Sequence, residues 1–297
     1  MPTDSPLPIV IAGTGHVAQA LGRLLAEHGE PVAAVAGRNP ERTRAAAVFI
    51  GHKVKPAALG TLAKRPVRLL IAVSDSSILE VASLIAGSGM KQGIALHTCG
   101  AMGPEALAPL AAAGVSCGAL HPLQTFASPE QGLSALTACT FGIDGDAAAL
   151  EWAEQIARLL DAATLRVPPE GRLLYHAAAV MASNYVVALV DAAAMLMEAA
   201  GIAPDRALRA LGPLIEESVG NALHLGTVEA LTGPVQRGDA QTISGHLSAL
   251  RRAPESVQRL YRAAGLHAVG LAVRGGLAPD RARLLENLFQ ESDRGNG

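Results

Sequence analysis

Between residues 8 and 167 short, almost unbroken apolar runs alternate with alanine-rich stretches whose polar residues fall on a helical period. The runs are PIVIA (8–12), PVAAVA (31–36), VRLLIAV (67–73), GIALH (93–97), VSCGAL (115–120), TACTFGI (137–143) and a shorter LRV (165–167). A strand with polar residues at alternate positions exposes one face to water. These runs do not alternate, which predicts strands buried on both faces of a mainly parallel, doubly wound α/β sheet. After VPPEGR (167–172) the strand signals stop, and the chain reads as helices over 173–200, 204–224 and 239–252, with two or three more beyond. Breaks at 201–204, 232–234, 254 and 275–276 carry Gly or Pro. The pattern predicts an α/β domain over 1–168 and an all-helical domain over 169–297.

At the end of the first run stands Gly13-Thr14-Gly15-His16-Val17-Ala18, followed by a helical stretch. In such a turn the first glycine permits the tight reversal and the second lets the backbone approach a pyrophosphate. A small third residue lets helix and strand pack closely. The helix start then offers free N–H groups to the phosphates, so Gly13, Thr14, Gly15, His16 and Val17 are the expected cofactor contacts of a Rossmann-type domain. The second run ends in Gly37-Arg38-Asn39, where an NAD-binding chain would carry Asp or Glu for the ribose hydroxyls. Arg38, with Asn39 beside it, suits a 2′-phosphate, which predicts NADP(H); Arg42 or Arg44 can share the task. Ser74-Asp75, His97-Thr98-Cys99 and His121-Pro122 also fall where strands end. Ligands of open α/β sheets sit beyond such ends, so Ser74, Asp75, Thr98 and Cys99 join the expected cofactor contacts.

Composition narrows the partners. The net charge of −2 and the eight aromatic residues give neither a basic surface nor stacking platforms for nucleic acid. Cys99, Cys117 and Cys139 show no metal or disulfide spacing, and the start of the chain has no basic, apolar leader, so a cytoplasmic protein without a bound metal is expected. The apolar run 177–200 approaches membrane-spanning length but contains Ser183, Asn184, Asp191 and Glu198. It is therefore expected to be a buried helix, with no membrane partner.

Four motifs in order, HTCGAMGPEAL (97–107), GALHPLQTF (118–126), YHAAAVMASNY (175–185) and LTGPVQRGD (231–239), carry a resemblance. The chain resembles a bacterial family of Rossmann-like proteins with a helical C-terminal domain of unknown function. That family is similar to pyrroline-5-carboxylate reductase, prephenate dehydrogenase and the 6-phosphogluconate dehydrogenase superfamily. The resemblance implies a small-molecule substrate between the nicotinamide and the helical domain, and a homodimer formed through that domain. The sequence departs from the family pattern at Cys99 and His16.

Hydride transfer needs a group that donates or accepts a proton. Relatives in this superfamily use a lysine on the first helix of the helical domain, but the only lysines here are Lys53, Lys55, Lys64 and Lys91. Histidine is the natural replacement. On one continuous helix Ser183 would lie about 20° and Asn184 about 80° from His176, so the three would face one cleft. His121, before a proline that favours an extended backbone, is placed at the cleft mouth. His121, His176, Asn184 and Ser183 are thus the candidate catalytic groups, each with a competing use in helix or loop packing. A non-catalytic NADP(H)-binding sensor is the alternative function.

Overall fold

The computed structural model describes residues 7–290; residues 1–6, part of the segment inspected for a leader, lie outside them. Two compact units divide between Ser183 and Asn184. The first contains β1 (Ile9–Ala12), α1 (His16–Glu27), β2 (Val32–Ala36), α2 (Pro40–Ile50), β3 (Lys55–Ala57), β4 (Val67–Ile71), α3 (Ile78–Gly87), β5 (Gly93–His97) and α4 (Ala108–Ala111). It continues through β6 (Ser116–Pro122), α5 (Pro129–Leu136), β7 (Thr140–Gly145), α6 (Ala147–Leu159), β8 (Ala163–Arg166) and α7 (Arg172–Ala182). The strands form one eight-stranded sheet in the order β3-β2-β1-β4-β5-β6-β7-β8. Every pairing is parallel except β6 with β7.

The unbroken apolar runs have the expected cause. Ile9 and Ile11 of β1 face a layer holding Leu21, Leu25, Ile50 and Trp152, while Val10 and Ala12 face the opposite layer with Ile71, Ile78 and Ile85. Both faces are dry, so neither side of the strand tolerates polar alternation. Inside this core Arg68 is paired with Glu30 at 2.5 Å, donates to the Leu7 carbonyl at 2.9 Å and lies 5.7 Å from the Trp152 ring centre. That set of partners is what allows a guanidinium to be buried on a central strand.

The second unit contains α8 (Asn184–Ala199), α9 (Pro204–Leu225), α10 (Thr227–Ala230), α11 (Gly233–Gln236), α12 (Ala240–Leu250), α13 (Glu255–Arg274) and α14 (Pro279–Gln290). Ile243, Val269, Leu285 and Phe289 form its core. Asp239 caps α12 by accepting from Thr242 N–H.

Three expectations change. The helix expected over 173–200 is two helices, because Ser183 leaves helical geometry at φ −121° and ψ −78° and its hydroxyl donates to the Ala179 carbonyl. The first unit runs past residue 168, since Arg172 and Tyr175 of α7 reach β7 and β6. The run is also not buried: Leu173, Leu174, Met181 and Val187 are each more than 60% exposed. Residues 169–199 are long and apolar enough to cross a membrane by length and composition. Their first turns are nonetheless tied to the sheet by the buried Arg172, whose guanidinium pairs with Asp144 of β7.

That pair predicts a measurable cost. Asp144→Ala leaves a buried guanidinium without its counter-ion and should destabilise the first unit by about 2–4 kcal/mol. A urea titration followed by tryptophan fluorescence, with Trp152 buried in that unit, checks this through a lowered midpoint at unchanged slope.

Candidate functional site

At the centre of the sheet the order reverses: β1 connects onward to β2 on one side, and its other neighbour β4 leads to β5 on the other. Loops leaving the two strands diverge and open a crevice, the usual ligand position in such sheets. Here it is a cleft of about 700 Å³ lined by Gly13, Thr14, Gly15, His16, Val17, Arg38, Ser74 and Thr98, among others. Gly13 has φ +133°, and a Cβ on it would lie 2.0 Å from the Ala72 carbonyl oxygen. No side chain fits there, so the loop can pass directly over the end of β4. A Cβ on Gly15 would meet nothing within 4 Å, because the residue looks into the open cleft. α1 begins there with no side-chain cap and no acidic residue in its first turn. The turn therefore suits a pyrophosphate, with the backbone N–H groups of His16 and Val17 at the helix start.

His16 also makes a tie that its position in the motif does not reveal. Its Nδ1 lies 2.9 Å from the carbonyl oxygen of Phe126, so the loop after β6 is drawn over the glycine turn and Phe126 lines the cleft. At the far end Arg38 and Arg42 both line the cleft and are solvent-exposed. Arg44 is absent from this lining. Asn39, expected as a cofactor contact, instead caps α2: its side-chain oxygen accepts from the N–H groups of Glu41 and Arg42. This cap fixes the first turn of α2 and with it the start of the Arg42 side chain.

On the β4–β5 side Ser74 and Ser77 face the cleft with their hydroxyls 2.9 Å apart. Asp75 and Cys99, also expected as cofactor contacts, are not among the lining residues. Cys99 is buried and its sulfur accepts from Ala101 N–H at 3.3 Å. Burial, and then Asp75, push its thiol up to about 11, so it is no thiolate at neutral pH. His97 is fully buried; its Nε2 is 2.9 Å from the Gly103 carbonyl and its Nδ1 accepts from Cys99 N–H. It shapes the loop that carries Thr98.

His121, Tyr175 and His176 form a polar cluster that is absent from the cleft lining. Its nearest link to the cleft is Gly100, which His121 packs against, two residues beyond the lining residue Thr98. β6 continues through His121 to Pro122, so His121 is held in the sheet, opposite Gly142 of β7, instead of in the loop expected after a strand. Its Nδ1 lies 2.8 Å from the Tyr175 hydroxyl, and the His176 ring centre is 6.1 Å from its own. Burial, then the neighbouring His176, push the His121 pKa down to about 4, which keeps the ring neutral at pH 7. Burial likewise raises the Tyr175 hydroxyl to about 12. The geometry brings His121 and His176 together. Ser183 is engaged with the Ala179 carbonyl at the helix break, and Asn184 starts the second unit, so the continuous helix from which a shared face of His176, Ser183 and Asn184 was expected is interrupted at Ser183. Tyr175, which lies outside the expected arc of catalytic residues, proves to be the closest polar partner of His121. The signal for it in the sequence is Gly142, a glycine within a strand, where close approach of a neighbour is one reason for a missing side chain.

A model of a Rossmann-like domain matches residues 3–122, and one of a domain of unknown function, DUF2520, matches residues 139–268. No curated protein matches the chain by sequence. Among solved structures, a Bacteroides fragilis protein provisionally named an NADP oxidoreductase is 24% identical, with a TM-score of 0.73 over 91% of this chain and 99% of its own. The Aspergillus terreus reductive aminase in complex with NADPH and ethyl-5-oxohexanoate is 17% identical, with a TM-score of 0.61 over 95% and 99%. The Plasmodium falciparum pyrroline carboxylate reductase with NADP bound is 11% identical, with a TM-score of 0.56 over 96% and 99%. At these identities the likeness is one of fold.

The buried imidazole makes stability depend on pH. His121 is at about 4 in the folded chain against an ordinary 6.5, so on acidification the unfolded chain takes up the proton first. Above about pH 6.5 the effect is nil. Between there and pH 4 it should remove up to about 3 kcal/mol, a loss that His121→Gln does not show. Denaturant titrations of both proteins at pH 7 and pH 4.5 provide the comparison.

Proposed function

For this chain, which joins a Rossmann-like domain to the domain of unknown function DUF2520, we propose an NADP(H)-dependent oxidoreductase acting on a small carbonyl or imine compound. The observation that carries this reading is the cleft at the sheet reversal, where a turn without side chains at Gly13 and Gly15 leads to two arginines, Arg38 and Arg42. The Gly13–Val17 turn and the start of α1 would hold the pyrophosphate, and Arg38 with Arg42 a 2′-phosphate. Bound NADPH supplies a hydride from its nicotinamide ring.

The chain's own work is then to orient the acceptor and manage a proton. His121 is neutral at pH 7 and is fixed by its strand and by Tyr175. It can hydrogen-bond the oxygen or nitrogen that gains charge as the hydride arrives. His176, whose ring centre is 6.1 Å from that of His121, would exchange a proton with the same substrate atom. Cys99 takes no part, being a buried neutral thiol.

The exposed apolar side chains of α8 and α9, including Tyr185, Val187, Leu208 and Leu223, support pairing with a second copy of the chain. Light scattering should then give twice the 30.3 kDa chain mass, and a monomer at micromolar concentration would remove this part of the proposal.

Cofactor choice follows from Arg38 and Arg42. Calorimetry should show NADPH binding at least about 30-fold more tightly than NADH, since a charge-assisted contact contributes about 2 kcal/mol. Arg38→Glu should close most of that gap; equal wild-type affinities would sink the assignment. Turnover is tested by NADPH oxidation over a panel of keto acids, aldehydes and cyclic imines. His121→Ala should lower kcat about 100-fold with NADPH affinity unchanged. Firm NADPH binding without turnover on any member would favour a sensor.

A further inference from the structure

The two ring nitrogens of His121 have different surroundings. Nδ1 lies 2.8 Å from the Tyr175 hydroxyl. Nε2 has no hydrogen-bond partner among the described residues. Since no buried side-chain nitrogen or oxygen among them lacks a partner, Nε2 must reach solvent. Packing holds the ring in place. A Cβ on Gly100 would lie 2.7–2.8 Å from Cε1, Nδ1 and Nε2, so the imidazole edge rests directly on the Gly100 backbone. A Cβ on Gly142 would lie 2.2 Å from the Tyr175 hydroxyl, which occupies the space left by that glycine. Each member of the pair is thus seated over a glycine.

A neutral imidazole carries one N–H and one bare nitrogen, and the hydrogen bond made by one nitrogen sets the state of the other. His121 is neutral at pH 7, and Tyr175, raised to about 12, keeps its proton. A phenol oxygen shares its lone pairs with its ring, so it donates a hydrogen bond better than it accepts one, whereas a bare imidazole nitrogen is a strong acceptor. The O–H of Tyr175 therefore donates to Nδ1, and the single ring proton sits on Nε2. The ionisable groups that reach His121 are His176, Asp75, His97 and Arg172. His97 is held by its own partners, Gly103 and Cys99, and Arg172 is paired with Asp144.

We propose that Tyr175 is a positioning residue that holds His121 in the Nε2–H form, so that the site presents a hydrogen-bond donor and selects a carbonyl oxygen over a cationic iminium. The choice of substrate atom rests on the oxidoreductase reading above; the tautomer does not. An iminium N–H would point a proton at another proton, and a carbonyl oxygen would accept one.

The test uses the full chain labelled with ¹⁵N-histidine, with two-bond ¹H–¹⁵N correlations recorded at pH 7 and the His121 signals assigned by their loss in His121→Gln. The wild type should show a protonated Nε2 and a bare Nδ1. Tyr175→Phe removes the donor, and Gly142→Ala keeps both side chains while crowding the hydroxyl away. Each should shift at least about a third of the population to the Nδ1–H form. A wild-type Nδ1–H ring, an imidazolium at pH 7, or no change in either folded variant would overturn the proposal. In turnover, wild type should favour a ketone over the matched cyclic iminium by at least about tenfold in kcat/KM. Tyr175→Phe should lower kcat about tenfold at unchanged NADPH affinity. A preference for the iminium would overturn the selection claim. Absence of all turnover would remove the functional reading and the selection with it, while the spectra still decide the role of Tyr175.

Discussion

The carbonyl of Ala72 stands where a side chain on residue 13 would have to be. This single close approach, between the turn after β1 and the end of β4, organises the first unit. It lets the chain pass from the centre of the sheet straight into α1, brings the helix start to the place where the strand order reverses, and leaves a cleft between loops that run apart. Alanine at 13 would need both a rare backbone conformation and a shift of β4. The central strands, dry on both faces, have little freedom to shift.

A second constraint acts at the other end of the site. α7 is rich in exposed apolar residues, and few contacts of its own would fix it to the sheet. Its position depends on Arg172 against Asp144 of β7 and on Tyr175 against His121 of β6. Because β6 and β7 are antiparallel neighbours with His121 opposite Gly142, one helix can reach both strands at once. The ion pair sets where the helix starts, and the hydroxyl one turn later sets how the imidazole is turned.

Much of the fold was legible in the sequence because burial on both faces leaves a plain mark: GIALH coincides with β5, and the other runs lie within a few residues of their strands. β3 escaped notice because Lys55-Pro-Ala57 is a short edge strand with no apolar run. β6 looked shorter than it is because Pro122 reads as a strand end, although a terminal residue with only one paired side tolerates proline. The break at Ser183 carries no Gly or Pro, so nothing in the composition distinguished it from a continuing helix. In the site, the glycine turn and Arg38 were legible because their chemistry is local. The pairings of Tyr175 with His121 and Arg172 with Asp144 join residues 54 and 28 positions apart, and no periodicity records such a distance. The glycines at 100 and 142, voids filled by His121 and by the Tyr175 hydroxyl, record the first of these pairings, and nothing comparable records the second.

Helices α2, α5 and α6 in the same unit start with Asn39, Ser128 and Asp146, whose side chains satisfy the first free N–H groups. α1 starts with Gly15, which has no side chain to offer, and carries no acid to balance the positive end of the helix. An anion bound at the turn would therefore act as the missing cap. Binding and folding then share one free energy: whatever tightens the ligand on this turn also holds the first helix to the sheet. A protein that bound its ligand here would use it as a structural part, and its resistance to heat or proteolysis would rise and fall with the ligand supply.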